Sequence, residues 1–330
     1  MKNKLFIAVT IAAILLWVGC NQTCNKKVEE NKPSPVELKL GWIFSGSYAP
    51  EALASKEFAK QNKIEIKLEP GGLGKDPLKL VGDNEFGVAA SDEVLHAVDK
   101  GGDFVIIGLI NYNSPACYIS LEKYNIKTPK DLEGKTVGIL PFGGTGLIYK
   151  ILLKKNGIDE TKIKEVTVYP DLKVFIAGKT HQVQPAFIYD ETVTLDEQGI
   201  KYNVLEPKDF NVSFKGAVYF TTGNTVKNNP NLVQEFVNTM AAGVNGAINN
   251  PEKAIQALKE IAPDIDPSRE LKVWRKGIEY YQGYNNQPLT SDLESWNDMI
   301  TEMKSLGEIK GEIDLNTVLN FSFINRFYNM

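Results

Sequence analysis

The stretch Ile64–Leu109, which reads IEIKLEPGGLGKDPLKLVGDNEFGVAASDEVLHAVDKGGDFVIIGL, decides the fold. Its three apolar runs, IEIKLE, FGVAA and FVIIGLI (the last ending at the next residue, Ile110), each predict a strand, and short helical patterns begin between them at Asp76 and at Ser91. Strand–helix–strand repeats of this length build a parallel sheet with right-handed crossovers. Ligands collect beyond the carboxyl ends of the strands in such sheets, so we expect a pocket at Gly71–Asp76, Ser91-Asp92 and Asn111–Ser114.

A second strand–helix series begins at Thr136 and continues to the short run Tyr202–Leu205. The run Gly216–Thr221 then predicts a strand that returns to the first unit, and the remainder of the chain shows helical spacing up to a last predicted helix at Asp314–Arg326. Two α/β units joined by two crossings predict a two-lobed protein with a cleft. We expect the helices that follow the second crossing to pack on the first lobe.

The composition is that of an ordinary globular protein, with 330 residues, of which 43% are hydrophobic and 24% charged. This length is sufficient for two cores. The net charge of −4 argues against nucleic acid as a partner, because nucleic-acid-binding proteins usually present a basic face. His96 and His181 have no nucleophile motif or metal-ligand spacing near them. We therefore expect no catalytic residue, no metal and no cofactor.

The N-terminal segment has the pattern of a secretory signal. Lys2 and Lys4 precede an apolar run, Leu5–Val18, that is short for a membrane span and ends at Gly19-Cys20. Trp17-Val18-Gly19-Cys20 resembles the lipobox of bacterial lipoproteins, which implies lipid attachment at Cys20; an ordinary signal or an uncleaved anchor is the alternative. The polar segment 20–35 predicts a flexible tether.

Two further cysteines remain after Cys20 is assigned to lipid attachment. Cys24 lies in the predicted tether, and Cys117 lies in an apolar run and is expected to be a buried small residue. The spacing does not indicate a bridge between them, and it does not rule one out.

Four segments carry a resemblance to a known family. They are Glu69–Pro77, Phe86–Glu93, Ile126–Gly138 and Asp171–Gly178. Over roughly Val36 to Pro263 the chain resembles the substrate-binding proteins of bacterial ABC importers, in the family that includes the fungal thiamine-pyrimidine synthases and binders of aminopyrimidines, alkanesulfonates and taurine. The cysteine-rich motif of the fungal enzymes is absent.

The resemblance implies a periplasmic-binding-protein fold of type II, in which two mainly parallel sheets flanked by helices enclose an interlobe cleft. The implied organisation is a signal peptide at 1–19, the tether at 20–35, the first lobe at 36–114, the second lobe at 115–218, and the return strand with the C-terminal helices at 219–330. It also implies a monomer that is lipid-anchored outside the cytoplasm and that delivers a small molecule to a membrane permease and its ATPase.

The predicted ligand contacts share a position near the end of a strand or the start of a helix. They are Trp42, Tyr48, Gly72, Ser91, Asp92, Asn113, Gly143, Gly144, Thr145, Tyr189 and Glu191. Trp42 and Tyr189 end alternating strands and could stack on a flat ring, although each could equally be a core residue. The N–H groups at Gly143–Thr145 could hold an anion or a ring acceptor, or the segment could be a plain tight turn.

The choice of ligand depends on the charges near these strand ends. Glu191 suits the amino group of an aminopyrimidine and repels a sulfonate, although an acidic residue also suits a solvated helix start. The three arginines, Arg269, Arg275 and Arg326, all fall in the helical tail, which disfavours an arginine clamp for an anion. An aminopyrimidine is therefore the leading expectation. The alternatives are alkanesulfonates, taurine or nitrate-like anions, an enzyme of the thiamine-pyrimidine synthase type, and a surface protein with an empty cleft.

Overall fold

The computed structural model describes residues 32–141 and 143–330. The predicted signal peptide, Cys20, Cys24 and most of the tether lie outside the described residues. The first strand begins at Ser34, inside the segment predicted as tether.

Two five-stranded mixed sheets form the framework. The first sheet has the order β2 (Ile64–Glu69), β1 (Ser34–Lys39), β3 (Phe86–Ala90), β10 (Ala217–Thr222) and β4 (Phe104–Leu109). The second has the order β7 (Lys164–Thr167), β6 (Thr136–Ile139), β8 (Val183–Phe187), β5 (Ala116–Leu121) and β9 (Tyr202–Leu205). In each sheet one strand, β10 or β5, runs antiparallel to its neighbours, and it is the strand that follows a crossing between the sheets. The predicted two-lobed α/β architecture of type II is confirmed.

Helices flank both sheets. They are α1 (Ala49–Leu53), α2 (Pro77–Leu80), α3 (Ser91–Asp99), α4 (Thr145–Lys155), α5 (Leu172–Ala177), α6 (Glu191–Glu197), α7 (Gly223–Asn228), α8 (Pro230–Asn249), α9 (Pro251–Ile261), α10 (Pro267–Gly277), α11 (Leu293–Ser305), α12 (Leu315–Val318) and α13 (Ser322–Tyr328). Within the described residues, no helix combines the length and the apolar character needed to span a bilayer.

The prediction of a single last helix over Asp314–Arg326 is wrong. The chain leaves α12 at Leu319, which bridges to Ile106 in β4, and the N–H of Asn320 donates to the carbonyl of Ile106 over 2.8 Å. A sheet edge thus takes the backbone groups that a continuous helix would have used, and α13 begins only after this contact.

The C-terminal helices pack on the first lobe, as predicted. One face of the first sheet is covered by α1, α8, α9, α10 and α13, with the rings of Phe86 and Phe236 stacked at 3.8 Å between centroids. The other face lies under α3, α11 and α12, and its buried cluster continues into α4 of the second lobe. An ion pair of 3.0 Å between Lys155 and Glu302 joins α4 to α11, so these helices also tie the two lobes together.

Cys117 is fully buried in the second sheet, as predicted, and its burial raises the pKa of the thiol well above its ordinary value.

Candidate ligand-binding site

A cleft of about 240 Å³ lies between the lobes. We call it the open cleft; its lining is Trp42, Ile43, Pro170, Asp171, Leu172, Gln184, Asp190, Glu191 and Thr194. The first two residues follow β1 of the first lobe, and the others belong to the second lobe. Of the predicted contacts, the structure thus brings Trp42 and Glu191 together here.

Trp42 is held by its backbone on a short loop. Its N–H donates to the Tyr48 hydroxyl over 2.9 Å, and its carbonyl accepts from the N–H of Gly71 over 2.9 Å. Gly71 must be glycine for this contact, since a Cβ there would lie 2.3 Å from the carbonyl oxygen of Leu40. The predicted glycine-rich turn therefore fixes the Trp42 loop.

Two other predicted contacts lie beside this loop rather than in the lining. Tyr48 is buried in the first-lobe core, where its hydroxyl fixes the Trp42 backbone. Gly72 forms a tight turn with Lys75 at φ +133°, and a Cβ there would lie 3.4 Å from Cγ2 of Ile43. Tyr48 thus contacts Trp42 and Gly72 lies beside Ile43, so both residues support the first-lobe side of the cleft without lining it.

Carboxyl groups dominate the second-lobe side of the open cleft. Asp171 accepts from the N–H groups of Lys173 and Val174 and so caps α5. Glu191 accepts from the N–H of Phe187 over 2.8 Å through Oε2. Burial raises the pKa of Glu191 to about 7, and the neighbouring Asp190 adds to the rise.

The sequence places Arg269 in the helical tail, and the fold brings it to the edge of the open cleft. Its guanidinium pairs with the carboxylate of Asp190, lies 3.2 Å from Oγ1 of Thr194, and pairs with Glu270 over 2.7 Å. The arginine is therefore neutralised by two acids. A sequence signal existed, because Arg269, Lys272 and Lys276 recur at helical spacing on α10 and pair with acids of the second lobe.

Tyr189 packs away from the open cleft. A Cβ on Gly277 would lie 3.1 Å from its Cδ1, and its ring centroid lies 6.4 Å from that of Tyr280. Burial raises the pKa of its hydroxyl. The ring belongs to the contact between the second lobe and α10.

A second interlobe contact joins Asp92, in the first turn of α3, to Gly144, which precedes α4; we call it the interlobe seal. Asp92 and Thr145 are each only 4% exposed. A Cβ on Gly144 would lie 2.6 Å from Oδ1 of Asp92. Gly143, with φ +72°, turns the chain into this contact.

The sequence predicts that Ser91-Asp92 caps a helix and leaves open whether Ser91 or Asp92 also faces the cleft; for Ser91 the structure contradicts both. Ser91 is the first helical residue and is fully buried, and its hydroxyl donates to the carbonyl of Lys215 over 2.9 Å. The N–H of the preceding Ala90 is instead accepted by Glu93 over 3.3 Å. The hydroxyl that was predicted to cap α3 therefore joins α3 to the second crossing instead.

Asn113 lies in the first crossing and lines a small cavity of about 10 Å³ with Phe214 of the second crossing. Nearby, the ammonium of Lys215 lies 3.5 Å from the centroid of the Tyr112 ring. Burial lowers the pKa of Lys215 to about 8. This region is separate from the lining of the open cleft.

One of the two histidines contacts the lining of the open cleft. His181 bonds through Nε2 to Gln184 over 2.6 Å, and His96 lies 3.5 Å from Glu308. Within residues 32–141 and 143–330, no three His, Cys, Asp or Glu side chains are grouped to hold a metal ion.

Comparison with solved structures shows the fold. The aliphatic sulphonate binding protein SsuA from Escherichia coli has a TM-score of 0.67 at 15% identity, over 90% of this chain and 99% of that chain. The periplasmic-binding-protein fold expected from the resemblance is confirmed.

Two curated relatives match most of this chain. The riboflavin-binding protein RibY of Chloroflexus aurantiacus is 21% identical, over 98% of this chain and 99% of its own length. The 4-amino-5-hydroxymethyl-2-methylpyrimidine phosphate synthase of Legionella pneumophila is 22% identical, over 89% of this chain and 92% of its own length. The family model described as NMT1/THI5 like matches residues 52–254, and the chain belongs to this family.

Proposed function

We propose that this chain is the solute-binding component of an ABC importer and that the open cleft takes a flat, amino-bearing heterocycle of the aminopyrimidine type. The ligand is bound between the lobes and passed, unchanged, to a membrane permease and its ATPase. The protein acts as a monomer outside the cytoplasm, anchored by lipid at Cys20.

The observation that carries this proposal is that Trp42 of the first lobe lines the same cleft as the carboxyl-bearing residues Asp171, Asp190 and Glu191 of the second lobe. An indole face stacks on a flat ring, and offset stacking adds about 0.5–1.5 kcal/mol to the burial of area. Asp171 and Glu191 each direct one oxygen to backbone N–H groups, and a carboxylate has acceptor capacity on both oxygens. An amino group on the ligand would use that capacity.

The curated relatives support a heterocycle in general. One is named for binding riboflavin and the other for making an aminopyrimidine phosphate. The likeness to the sulphonate-binding protein supports the fold alone. The acidic lining favours a neutral or cationic ligand over a sulfonate, because like charges in a partly buried cleft repel.

A thermal-shift screen of the chain from Lys32 onward tests this function. The ligands are aminopyrimidines, thiamine, riboflavin, taurine, alkanesulfonates and nitrate. A ligand at a hundred times its dissociation constant adds about 2.7 kcal/mol to the free energy of unfolding, which is readily visible. We expect aminopyrimidines to raise the melting temperature and to be recovered unchanged after incubation.

The matched variants are Glu191→Gln in the cleft and Glu197→Gln at the other end of α6, where the side chain pairs with Lys272. We expect the first variant to weaken the response and the second to leave it intact. A response to sulfonates alone, conversion of the aminopyrimidine, or silence across the whole panel would contradict the proposal.

A further inference from the structure

Gln184 is a polar residue on a strand that is otherwise apolar and largely buried. It lies in β8, its backbone is paired with Ile119 of β5, and it is 1% exposed, as little as its apolar neighbours Val183 and Ala186. A buried amide costs free energy unless its polar atoms are paired. Gln184 also lines the open cleft, so its amide group is reached from that cleft and is not sealed in the core.

The oxygen of this amide is held by His181. Oε1 of Gln184 lies 2.6 Å from Nε2 of His181, and Nδ1 of the same ring lies 2.7 Å from Oγ1 of Thr180. Burial lowers the pKa of His181, so the ring is neutral at neutral pH and carries one proton. Because an amide oxygen only accepts hydrogen bonds, that proton is on Nε2, and the Thr180 hydroxyl donates to Nδ1.

The nitrogen of the amide is thereby left for a ligand. Among the residues that the structure describes, the bond to His181 is the only hydrogen bond of the Gln184 side chain. Its Nε2 carries two N–H donors and no acceptor. Asp171 and Glu191 supply acceptors to the same cleft from the same lobe. The second lobe therefore offers both a donor and acceptors, and a flat ring with an amino group next to a ring nitrogen presents the complementary pair.

We propose that Gln184 is a specificity-determining residue whose Nε2–H donates to a ring nitrogen or ring carbonyl of the ligand, and that His181 is the residue that positions it. This inference rests on the proposed solute-binding function and deepens it, since it names a second group that the ligand carries besides its amino group. A ring without such an acceptor leaves the N–H unpaired inside the closed cleft, and an unpaired buried donor is costly.

Calorimetric titration with two ligands that differ only in the ring tests this inference. One is 4-amino-5-hydroxymethyl-2-methylpyrimidine, and the other is its benzene analogue, which keeps the three substituents and replaces both ring nitrogens by CH. We expect the wild type to bind the pyrimidine at least about tenfold more tightly than the benzene analogue. We expect Gln184→Met, which keeps the length of the side chain without its amide, to remove most of that preference.

Two further variants complete the set. His181→Phe keeps a ring but removes the N–H that holds Oε1, and we expect it to lower the preference at least about threefold although it changes no residue of the lining. Gln198→Met makes the same substitution at an exposed glutamine after α6, and we expect it to leave the preference unchanged. Circular dichroism melting shows which variants fold; if Gln184→Met does not, the inference stands or falls on His181→Phe.

The possible outcomes separate this inference from the proposed function. Equal wild-type affinities for the two ligands, or a preference that is retained in folded Gln184→Met, would overturn the inference and leave the proposed function standing. A preference lost equally in Gln198→Met would also overturn the inference. Absence of wild-type binding to both ligands would instead refute the proposed function, and this inference with it.

Discussion

The open cleft and the interlobe seal are built from the same local pattern and differ in burial. In each, an acidic residue lies in the first turn of the helix that follows a strand: Asp92 in α3 after β3, and Glu191 in α6 after β8. The seal places its carboxylate, 4% exposed, against the backbone of the other lobe, whereas Glu191 lines a cavity of about 240 Å³. Packing therefore decides whether such a carboxyl group is enclosed by the protein, as at Asp92, or lines a cavity, as at Glu191.

Removing the ring from the open cleft should have the largest effect. We expect Trp42→Ala to weaken aminopyrimidine binding by about 30-fold, or about 2 kcal/mol, because stacking and burial of area are lost together. Leu80→Ala removes an exposed apolar side chain outside the cleft and is the control. Calorimetry on both variants measures the difference; equal affinities would place the ligand elsewhere.

Adding a methyl group to the seal should come next. We expect Gly144→Ala to lower the free energy of unfolding by about 1–3 kcal/mol, since the new Cβ collides with the Asp92 carboxylate. Gly146→Ala is the matched control in the first turn of α4, where a Cβ would lie 3.6 Å from its nearest neighbour, Cγ2 of Ile139 in β6. Urea unfolding compares the two variants, and a tolerated Gly144→Ala would show that the lobes do not close on this contact.

The ion pairs between α10 and α6 sharpen the comparison further. Arg269→Ala leaves Asp190 and the buried Glu270 without their cation, and we expect it to cost about 1–2 kcal/mol of stability. Lys272→Ala breaks an exposed pair with Glu197, and we expect a change within about 0.5 kcal/mol. Chemical denaturation checks both, and equal costs would mean that burial at the cleft edge adds nothing to the pair.

Stability should also depend on pH. Burial raises the pKa of Glu51, Asp92 and Glu191 to about 7 in each case. Each group keeps its proton in the folded state where the unfolded chain has lost it, so the free energy of unfolding should fall as pH rises from about 4.5 to about 7.

Glu51→Gln isolates one contribution to this dependence, because Glu51 is buried in the first-lobe core and accepts from the Tyr219 hydroxyl. We expect the variant to gain about 2 kcal/mol relative to the wild type between pH 5 and pH 8. Denaturant titrations across this range measure the slope, and an unchanged slope would show that Glu51 does not titrate there.

The sequence predicts the framework well because strands and long helices carry periodic apolar patterns. Tyr202–Leu205 is a strand over the predicted residues, and the predicted helical remainder of the chain contains α8, α9, α10 and α11. The errors come from contacts between distant segments. The predicted last helix is interrupted at Asn320, whose N–H donates to the carbonyl of Ile106. The hydroxyl of Ser91, predicted to cap α3, donates instead to the carbonyl of Lys215.

The same reason limits what the sequence says about the site. Trp42, Tyr189 and Glu191 are all selected because they lie near the end of a predicted strand. Trp42 and Glu191 line the open cleft, whereas α10 covers the ring of Tyr189. Arg269 reaches the cleft edge only through the packing of α10 on α6. Contacts of this kind leave a helical spacing of charged residues in the sequence, but that spacing does not indicate which distant segment the residues contact.

The most direct test of the proposed ligand charge is a pair of calorimetric titrations of the wild-type protein, one with 4-amino-5-hydroxymethyl-2-methylpyrimidine and one with methanesulfonate. We expect one aminopyrimidine to bind per chain, and we expect no heat from the sulfonate at millimolar concentration. Binding of the sulfonate with no response to the pyrimidine would contradict this expectation, because the open cleft would then have been assigned the wrong ligand charge.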